Sequence, residues 1–544
     1  MSPSVSAIED AAYTLATLAR AGYVRPVRPD RLARAVLNLG RWKMTPAAAS
    51  ISNAALYPSA PAIIDELGAL TFAELDERTN RLANAWADAG LTSGDGVGLM
   101  CRNHRGFIEA VIACSKLGAH SLLMNTSFAG PQLTEVAKRE KPAALVYDEE
   151  FAELVHDAGR RRKRFIAWRE DGEVGDPTLE ELIDAGDPSQ PLPPPTAGRS
   201  VILTSGTTGT PKGASRGQPQ TVGPLVALLS RIPLRARERT MIAAPLFHAW
   251  GFAHLQLGFA LGSTIVLRRR FDPGDTLATI AQQQATACPM VPVMLQRILE
   301  LPEPEREPYD LSTLRVVPVS GSALPGELAS RFMDAFGEIL YNLYGSTEVA
   351  WATIATPRDL REAPGTAGRP PRGTVLKILD DDGIELPIGQ TGGIYVGNEM
   401  LFDGYTGGGS KESVGGLMGT GDVGHLDHAR RLFVDGRADD MIVSGGENVY
   451  PEEIEDVIAR LEGVQEAAAV GVPDDKFGQR VAAYIVRSSG NKLTADEVRA
   501  HVKQNLARYK VPRDVEFVDE LPRTSTGKVL KRELAEQGEV SKRS

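Results

Sequence analysis

The chain has 544 residues, 42% of them hydrophobic and 24% charged, with a net charge of −10 at neutral pH. That length calls for more than one core, and the acidic balance argues against nucleic acid as the main ligand. No stretch reaches the roughly twenty apolar residues of a membrane span, and Glu9 with Asp10 does not fit a secretory signal, so a cytoplasmic protein is expected.

Residues 1–50 are rich in Ala and Arg, with Leu15, Leu18 and Tyr23 at helical spacing. They predict an N-terminal extension docked on the body, with peripheral membrane contact or homodimer contact as its alternative roles. Thr71 and Glu74 form a capping box ahead of Leu75, Leu82 and Trp86 on one helix face; the strand "VGLMC" and the helix "FIEAVIACSKLGA" follow. This alternation predicts an α/β fold whose large domain, residues 51–436, has parallel-rich sheets flanked by helices. Cys101, Cys114 and Cys288 are too far apart for a disulfide framework and lack ligand-spaced companions, so they read as reduced core residues. The basic runs at 160–164 and 268–270 read as solvated turns, an anionic contact being the alternative. "DPSQPLPPPTAG" is a surface connection, because its prolines cannot enter a helix or sheet interior.

The glycines between Asp403 and Asp422 predict a mobile loop. Beyond it a polar joint, residues 437–441, leads into a small mobile α+β domain, residues 442–544. There Pro451 opens a helix with Ile454, Val457, Ile458 and Leu461 on one face, and "AAAVGV" and "VAAYIV" are strands. Thr494 with Glu497 caps another helix before a last strand, "DVEFV".

The stretch "TSGTTGTPKG", Thr204 to Gly213, is suited to phosphate. Gly206 and Gly209 let backbone amides approach oxygens, Ser205, Thr207 and Thr208 donate hydroxyls, and Lys212 supplies a point charge. It is not the P-loop pattern, since Pro211 precedes the lysine and Gly213 follows it. Alone, it could be only a glycine-rich turn. Six further blocks follow in order: "PLFHAWG" from Pro245, "SGSAL" from Ser320, "NLYGSTE" from Asn342, "TGD" from Thr420, "GRADDMIVSGGENVYPEEIE" from Gly436 and "PRTSTGKVLKR" from Pro522. Together the seven resemble the signature motifs of the adenylate-forming superfamily, in its acyl-CoA synthetase branch, from about residue 50 to 535.

The resemblance implies a two-step reaction: a carboxylic acid and ATP give acyl-AMP and pyrophosphate, and CoA then takes the acyl group. It implies that Thr204, Ser205, Gly206, Thr207, Thr208, Gly209 and Lys212 surround the β- and γ-phosphates. Thr347 would meet the α-phosphate, and Glu348 with Thr207 would hold Mg²⁺. Tyr344 would pack on adenine beside Gly345, with Asn342 at its edge and Gly321 and Ser322 close by. Asp422 would accept both ribose hydroxyls, with Arg437 beside it. Lys528 would bridge the attacking carboxylate and the α-phosphate, acting by position and charge. Asp439 would be the hinge about which the small domain turns, bringing Gly445 and Gly446 to the path of the thiol.

Phe247 and His248 stand where the amino-acid-activating branch places an aspartate, so a substrate ammonium would go unpaired. A fatty acid is therefore expected, with His248 as a gate or wall beside the reacting carboxylate and Phe252, Val349, Ala350 and Trp351 as apolar neighbours. CoA is the expected acceptor; an acyl carrier protein, or a catalytically silent nucleotide- or acyl-binding relative, are the alternatives. Two departures from the superfamily pattern stand out. Leu417, Met418 and Gly419 replace an aromatic pair before "TGD", and "GASRG" replaces a histidine past the loop lysine.

Overall fold

The computed structural model describes all residues except 1–4, 161, 171, 173–174, 205–211, 218, 220, 439, 445–446, 475–477, 525–526 and 541–544. Helices Val5–Arg20 (α1), Pro29–Trp42 (α2) and Pro46–Leu56 (α3) lead the chain, and Phe72–Asp88 (α4) and Arg105–Leu117 (α5) follow, separated by short strands. The capping box at α4 forms as expected: the Glu74 amide donates to Thr71 Oγ1 at 3.2 Å and the Thr71 amide to the Glu74 carboxylate at 2.7 Å. Leu75, Leu82 and Trp86 are fully buried behind it. Helix α5 stops at Gly118, whose φ of +76° is the left-handed cap that glycine adopts without strain.

The central sheet has seven strands in the order Gly404–Tyr405, Lys212–Arg216, Ser200–Thr204, His120–Leu123, Gly96–Met100, Ala144–Asp148 and Lys163–Trp168. The last five are parallel, and the first two are antiparallel additions at one edge. Near-continuous apolar strands such as "GVGLM" fit this layer because side chains on both faces are buried, with α4 and α5 packed in the same core. Two smaller sheets carry the parallel pairs Thr264–Val266 with Arg239–Met241 and Val317–Val319 with Leu340–Tyr344. An antiparallel sheet follows, from Val375–Leu379 through Gly392–Gly397 and Leu417–Leu426 to Leu432–Arg437.

The expectation of a mobile loop from Asp403 to Asp422 is corrected. Gly404 and Tyr405 pair with Ser215 and Ala214, and Leu417–Leu426 is a ten-residue strand. The positive-φ glycines that suggested a loop sit at the tight turns, Gly408 with Gly409 and Gly415 with Gly416. The prolines of 187–198 do lie in an irregular connection. The basic run at 268–270 is ion-paired: Arg269 meets Glu150 at 2.9 Å and Glu170 at 3.0 Å and stacks over Trp168.

A separate five-stranded sheet forms the small domain: Glu447–Val449, Ile442–Ser444, Gly478–Arg487 and Val464–Asp474, with Asp514–Val518 parallel to Gly478–Arg487. The helix Pro451–Ala459 buries Ile454, Val457 and Ile458 against it, and Leu461 follows just past the helix end. The chain is thus α/β, with a large body and a small α+β domain. The N-terminal extension is docked: Tyr23 donates to the Ala260 carbonyl at 2.8 Å, the Ala236 amide donates to the Ala21 carbonyl at 2.8 Å, and Arg372 stacks over Tyr13.

Candidate active site

One cavity of about 2620 Å³ lies between the two domains, and Tyr344, Glu348, Asp422, Arg437, Lys528 and His248 all line it. Sites for one small ligand span about 300–1,000 Å³, so this space accommodates several bodies at once.

The strand Leu340–Tyr344 carries Asn342, buried between neighbouring strands, and ends at Tyr344. The Tyr344 hydroxyl donates to Asp422 Oδ2 at 2.6 Å, and Arg437 donates to Asp422 Oδ1 at 3.2 Å. Asp422 and Arg437 face each other across paired strands, which fixes that geometry. Met418 is buried four residues earlier in the same strand, so loss of the aromatic pair leaves Asp422 in place. Burial raises the Asp422 carboxyl's pKa, and Tyr344, Arg437 and Lys528 oppose that rise. Lys528 is therefore within electrostatic reach of Asp422. A short hairpin presents it: the Thr524 amide donates to the Lys528 carbonyl at 2.8 Å, and the Lys528 amide to Thr524 Oγ1 at 3.1 Å.

Gly345 follows Tyr344 where a Cβ would lie 2.2 Å from the Ala350 carbonyl oxygen, so only glycine admits the turn that brings Thr347 and Glu348 to the cavity. Gly321, at φ +98°, turns the loop that places Ser322 on the same wall. Glu348 Oε1 accepts from the Tyr405 hydroxyl at 2.8 Å. Tyr405 sits on the strand paired with Ala214, so the edge that carries Lys212 also braces Glu348.

Arg216 joins this group. Its guanidinium donates to the Thr347 carbonyl, while its buried Nε has no hydrogen-bond partner among the described residues. Burial pushes its pKa down to about 10, against the pull of Glu348 and Asp403. The sequence carried a trace of it, in the arginine of "GASRG" beside the place of the missing histidine. Tyr405 left no comparable signal.

His248 precedes the helix Ala249–Ala260, with its ring 4.4 Å from that of Phe247. Burial pushes its imidazole down to about 4, so it is neutral at physiological pH. Ser205, Gly206, Thr207, Thr208, Gly209, Asp439, Gly445 and Gly446 lie outside the described residues. For Thr204 and Lys212 the backbone is described, and the two pair across the ends of adjacent strands.

The domains meet at a seam beside Lys528. Gln296 of the large domain donates to Glu466 at 2.8 Å, and Gln465 of the small domain donates to Glu300 at 2.9 Å. Gly527, at φ +80°, lies so close to Val293 that a Cβ would stand 2.4 Å from Val293 Cγ1.

Sequence spacing did not reveal that Cys101, His104 and Asp148 cluster, all three buried. Both His104 ring nitrogens are engaged: Nε2 with Asp148 at 2.8 Å, and Nδ1 as acceptor from the Gly106 amide at 3.1 Å. His104 thereby caps α5, with Asp148 fixing its ring.

The AMP-binding enzyme family pattern matches residues 52–406, and the AMP-binding enzyme C-terminal domain pattern matches residues 453–528. The chain belongs to the AMP-binding enzymes. A feruloyl-CoA synthase from an Amycolatopsis species is 34% identical over 505 residues, spanning 91% of this chain and 98% of that protein. A fatty acid–[acyl-carrier-protein] ligase from Streptomyces coeruleorubidus is 29% identical over 499 residues, covering 88% and 94%. The structure of o-succinylbenzoate CoA synthetase from Bacillus subtilis with its acyl-adenylate superposes with a TM-score of 0.76 at 28% identity, covering 89% of this chain and 97% of the other. This AMP-binding enzyme is by class an acyl-CoA ligase, which activates a carboxylic acid with ATP and forms a CoA thioester.

Proposed function

We propose that the cavity activates an apolar carboxylic acid of aryl or comparable bulk to its acyl-adenylate and transfers the acyl group to CoA. The observation that carries this reading is the convergence of Asp422, Tyr344, Glu348 and Arg216 of the large domain and Lys528 of the small one on a single cavity. Asp422, steadied by Tyr344 and Arg437, retains lone pairs for a diol, which suits ribose. Asn342 and Tyr344 suit an adenine edge and face. The loop 204–212, with Thr347 and Arg216, would take the phosphates, and Lys528 would place its charge between the acid and the α-phosphate. No proton has to move in that step, so alignment and charge are what the residues contribute. Glu348 keeps one carboxylate oxygen outside its bond to Tyr405, and a hard divalent cation suits it. When bound, Mg²⁺ would shield the charge of the phosphates.

His248 is too weakly basic to act as a general base, and the acid is already ionised at neutral pH. It serves as a wall, continuous with Trp250, Phe252, Ala350 and Trp351. These apolar and aromatic surfaces offer no partner for a substrate ammonium. An aryl acid agrees with the names of the feruloyl and succinylbenzoate relatives. A fatty acid is the second reading, favoured by the extension of the same cavity along Ile108, Val111 and Ile112 of α5 toward the N-terminal helices. The small domain, joined through residues 437–441, would turn about Asp439 after adenylation so that Gly445 and Gly446 meet the thiol. Pyrophosphate release with ATP and Mg²⁺, over cinnamic-type, phenylacetic-type and straight-chain acids, with and without CoA, tests the whole reading. Stimulation by CoA with an aryl acid is the expected result. Stimulation only by straight-chain acids moves the substrate to the second reading, and release indifferent to CoA points to a carrier-protein acceptor.

A further inference from the structure

We propose that residues 15–44 form a docking face for an anionic lipid surface, with the apolar stripe of α2 entering the interface. Between residues 20 and 44 the sequence places seven basic residues (Arg20, Arg25, Arg28, Arg31, Arg34, Arg41 and Lys43) against one acidic residue, Asp30, in a chain whose net charge is −10. All of the seven except Arg31 are exposed. Among the described residues, eight of the fifteen exposed large hydrophobic side chains fall within residues 15–44.

Helix α2 is amphipathic in an unusual sense. Ala35 and Trp42 are buried against the body, and Trp42 packs with Ala47, Ala48 and Ile51 of α3. Leu32, Val36 and Leu39, spaced to lie along one stripe, remain 50%, 59% and 46% exposed. Arg34 and Arg41 point roughly away from that stripe by helical geometry. A helix with the stripe Leu32, Val36 and Leu39 opposite Arg34 and Arg41, at the surface of an otherwise acidic protein, matches the physics of an interfacial helix lying in the plane of a headgroup layer. Charge complementarity selects an anionic bilayer as the occupant, because a second copy of this chain would bring the same positive face. Anchoring of the arm by Tyr23, Ala21 and Arg372 to the body means the surface is presented as a rigid unit.

Flotation of the full chain with phosphatidylcholine vesicles, with and without phosphatidylglycerol, tests this. Flotation at low salt with the anionic vesicles alone is expected, and it should fade at high salt. Arg25→Glu/Arg34→Glu/Arg41→Glu should reduce partitioning by at least about 100-fold, since each basic residue contributes about fivefold. The same variant should keep vesicle-free pyrophosphate release with a water-soluble acid. Leu32→Ser/Val36→Ser/Leu39→Ser should weaken flotation while leaving the salt dependence of what remains. Wild-type protein that stays below both vesicle types, or a serine variant that floats like wild type, overturns the proposal. So does sedimentation velocity showing a dimer that the serine substitutions dissociate, in the absence of flotation.

Discussion

Replacing Arg216 with methionine should separate stability from nucleotide binding, and in opposite directions. The Arg216 side chain is part-buried, its Nε has no hydrogen-bond partner among the described residues, and its pKa is pushed down to about 10. A base with a depressed folded pKa holds its proton less tightly in the folded chain, so below pH 10 the charge costs about 3 kcal/mol relative to an ordinary arginine. Methionine removes that cost but orphans the Thr347 carbonyl, which returns about 1–3 kcal/mol of penalty. The ligand-free variant should therefore unfold in urea at a free energy equal to wild type or up to about 2 kcal/mol higher. A phosphate that pairs with Arg216 supplies a charge-assisted hydrogen bond of about 1.5–3 kcal/mol, so kcat/KM for ATP in ATP–pyrophosphate exchange should fall roughly 10- to 150-fold. Stabilisation by added ATP should shrink in step. A variant that loses several kcal/mol while its ATP dependence is unchanged would show that Arg216 is a clamp on Thr347 and nothing more.

Lys528→Ala should slow adenylation roughly a hundredfold or more, with thioester formation from supplied acyl-adenylate largely spared; equal loss in both half-reactions refutes the assignment. Asp439→Pro should leave pyrophosphate release intact and block thioester formation, and an unimpaired second step removes the hinge from that position. His248 and His254, pushed by burial to about 4 and about 3, are neutral in the fold but protonate below pH 6.5 when unfolded. Stability should thus fall as pH drops from 7 to 5, by about 2 kcal/mol for each histidine, and His248→Gln should remove its share in urea titrations at the two pH values. The pH–rate profile of adenylation should keep its shape in that variant; a lost limb near pH 6.5 would restore a proton-transfer role.

What the sequence discloses is local. The capping boxes at Thr71–Glu74 and Thr494–Glu497 need residues three apart, and both form as read. Motif blocks such as "NLYGSTE" disclose their residues because a tight turn and the side chains it presents lie within a few positions. The misreadings are nonlocal. Gly404 and Tyr405 are strand only because Ser215 and Ala214, nearly two hundred positions earlier, offer an edge. The Tyr405–Glu348 bond and the Tyr344–Asp422 bond span 57 and 78 positions, and no spacing rule anticipates them. Arg216 was visible as a departure from a pattern, but its burial beside Thr347 depends on how two sheets meet. The choice between aryl and alkyl acids stays hidden for the same reason, since the walls of the acid site come from segments that only the fold assembles.

The seam at Gln296–Glu466 and Gln465–Glu300 is made of amides and carboxylates. Each such bond exchanges for a bond to water at little net free energy, so parting the domains there exposes no greasy surface that must be hidden again. Val293 against bare Gly527 is the exception: a contact that depends on the absence of a side chain. A methyl group at 527 would act as a wedge, shifting the resting population toward the undocked arrangement, and at φ +80° it would also strain the hairpin that presents Lys528. Turnover in such a protein should respond to solvent viscosity and osmolytes less than wild type, because the parting step would already have been taken.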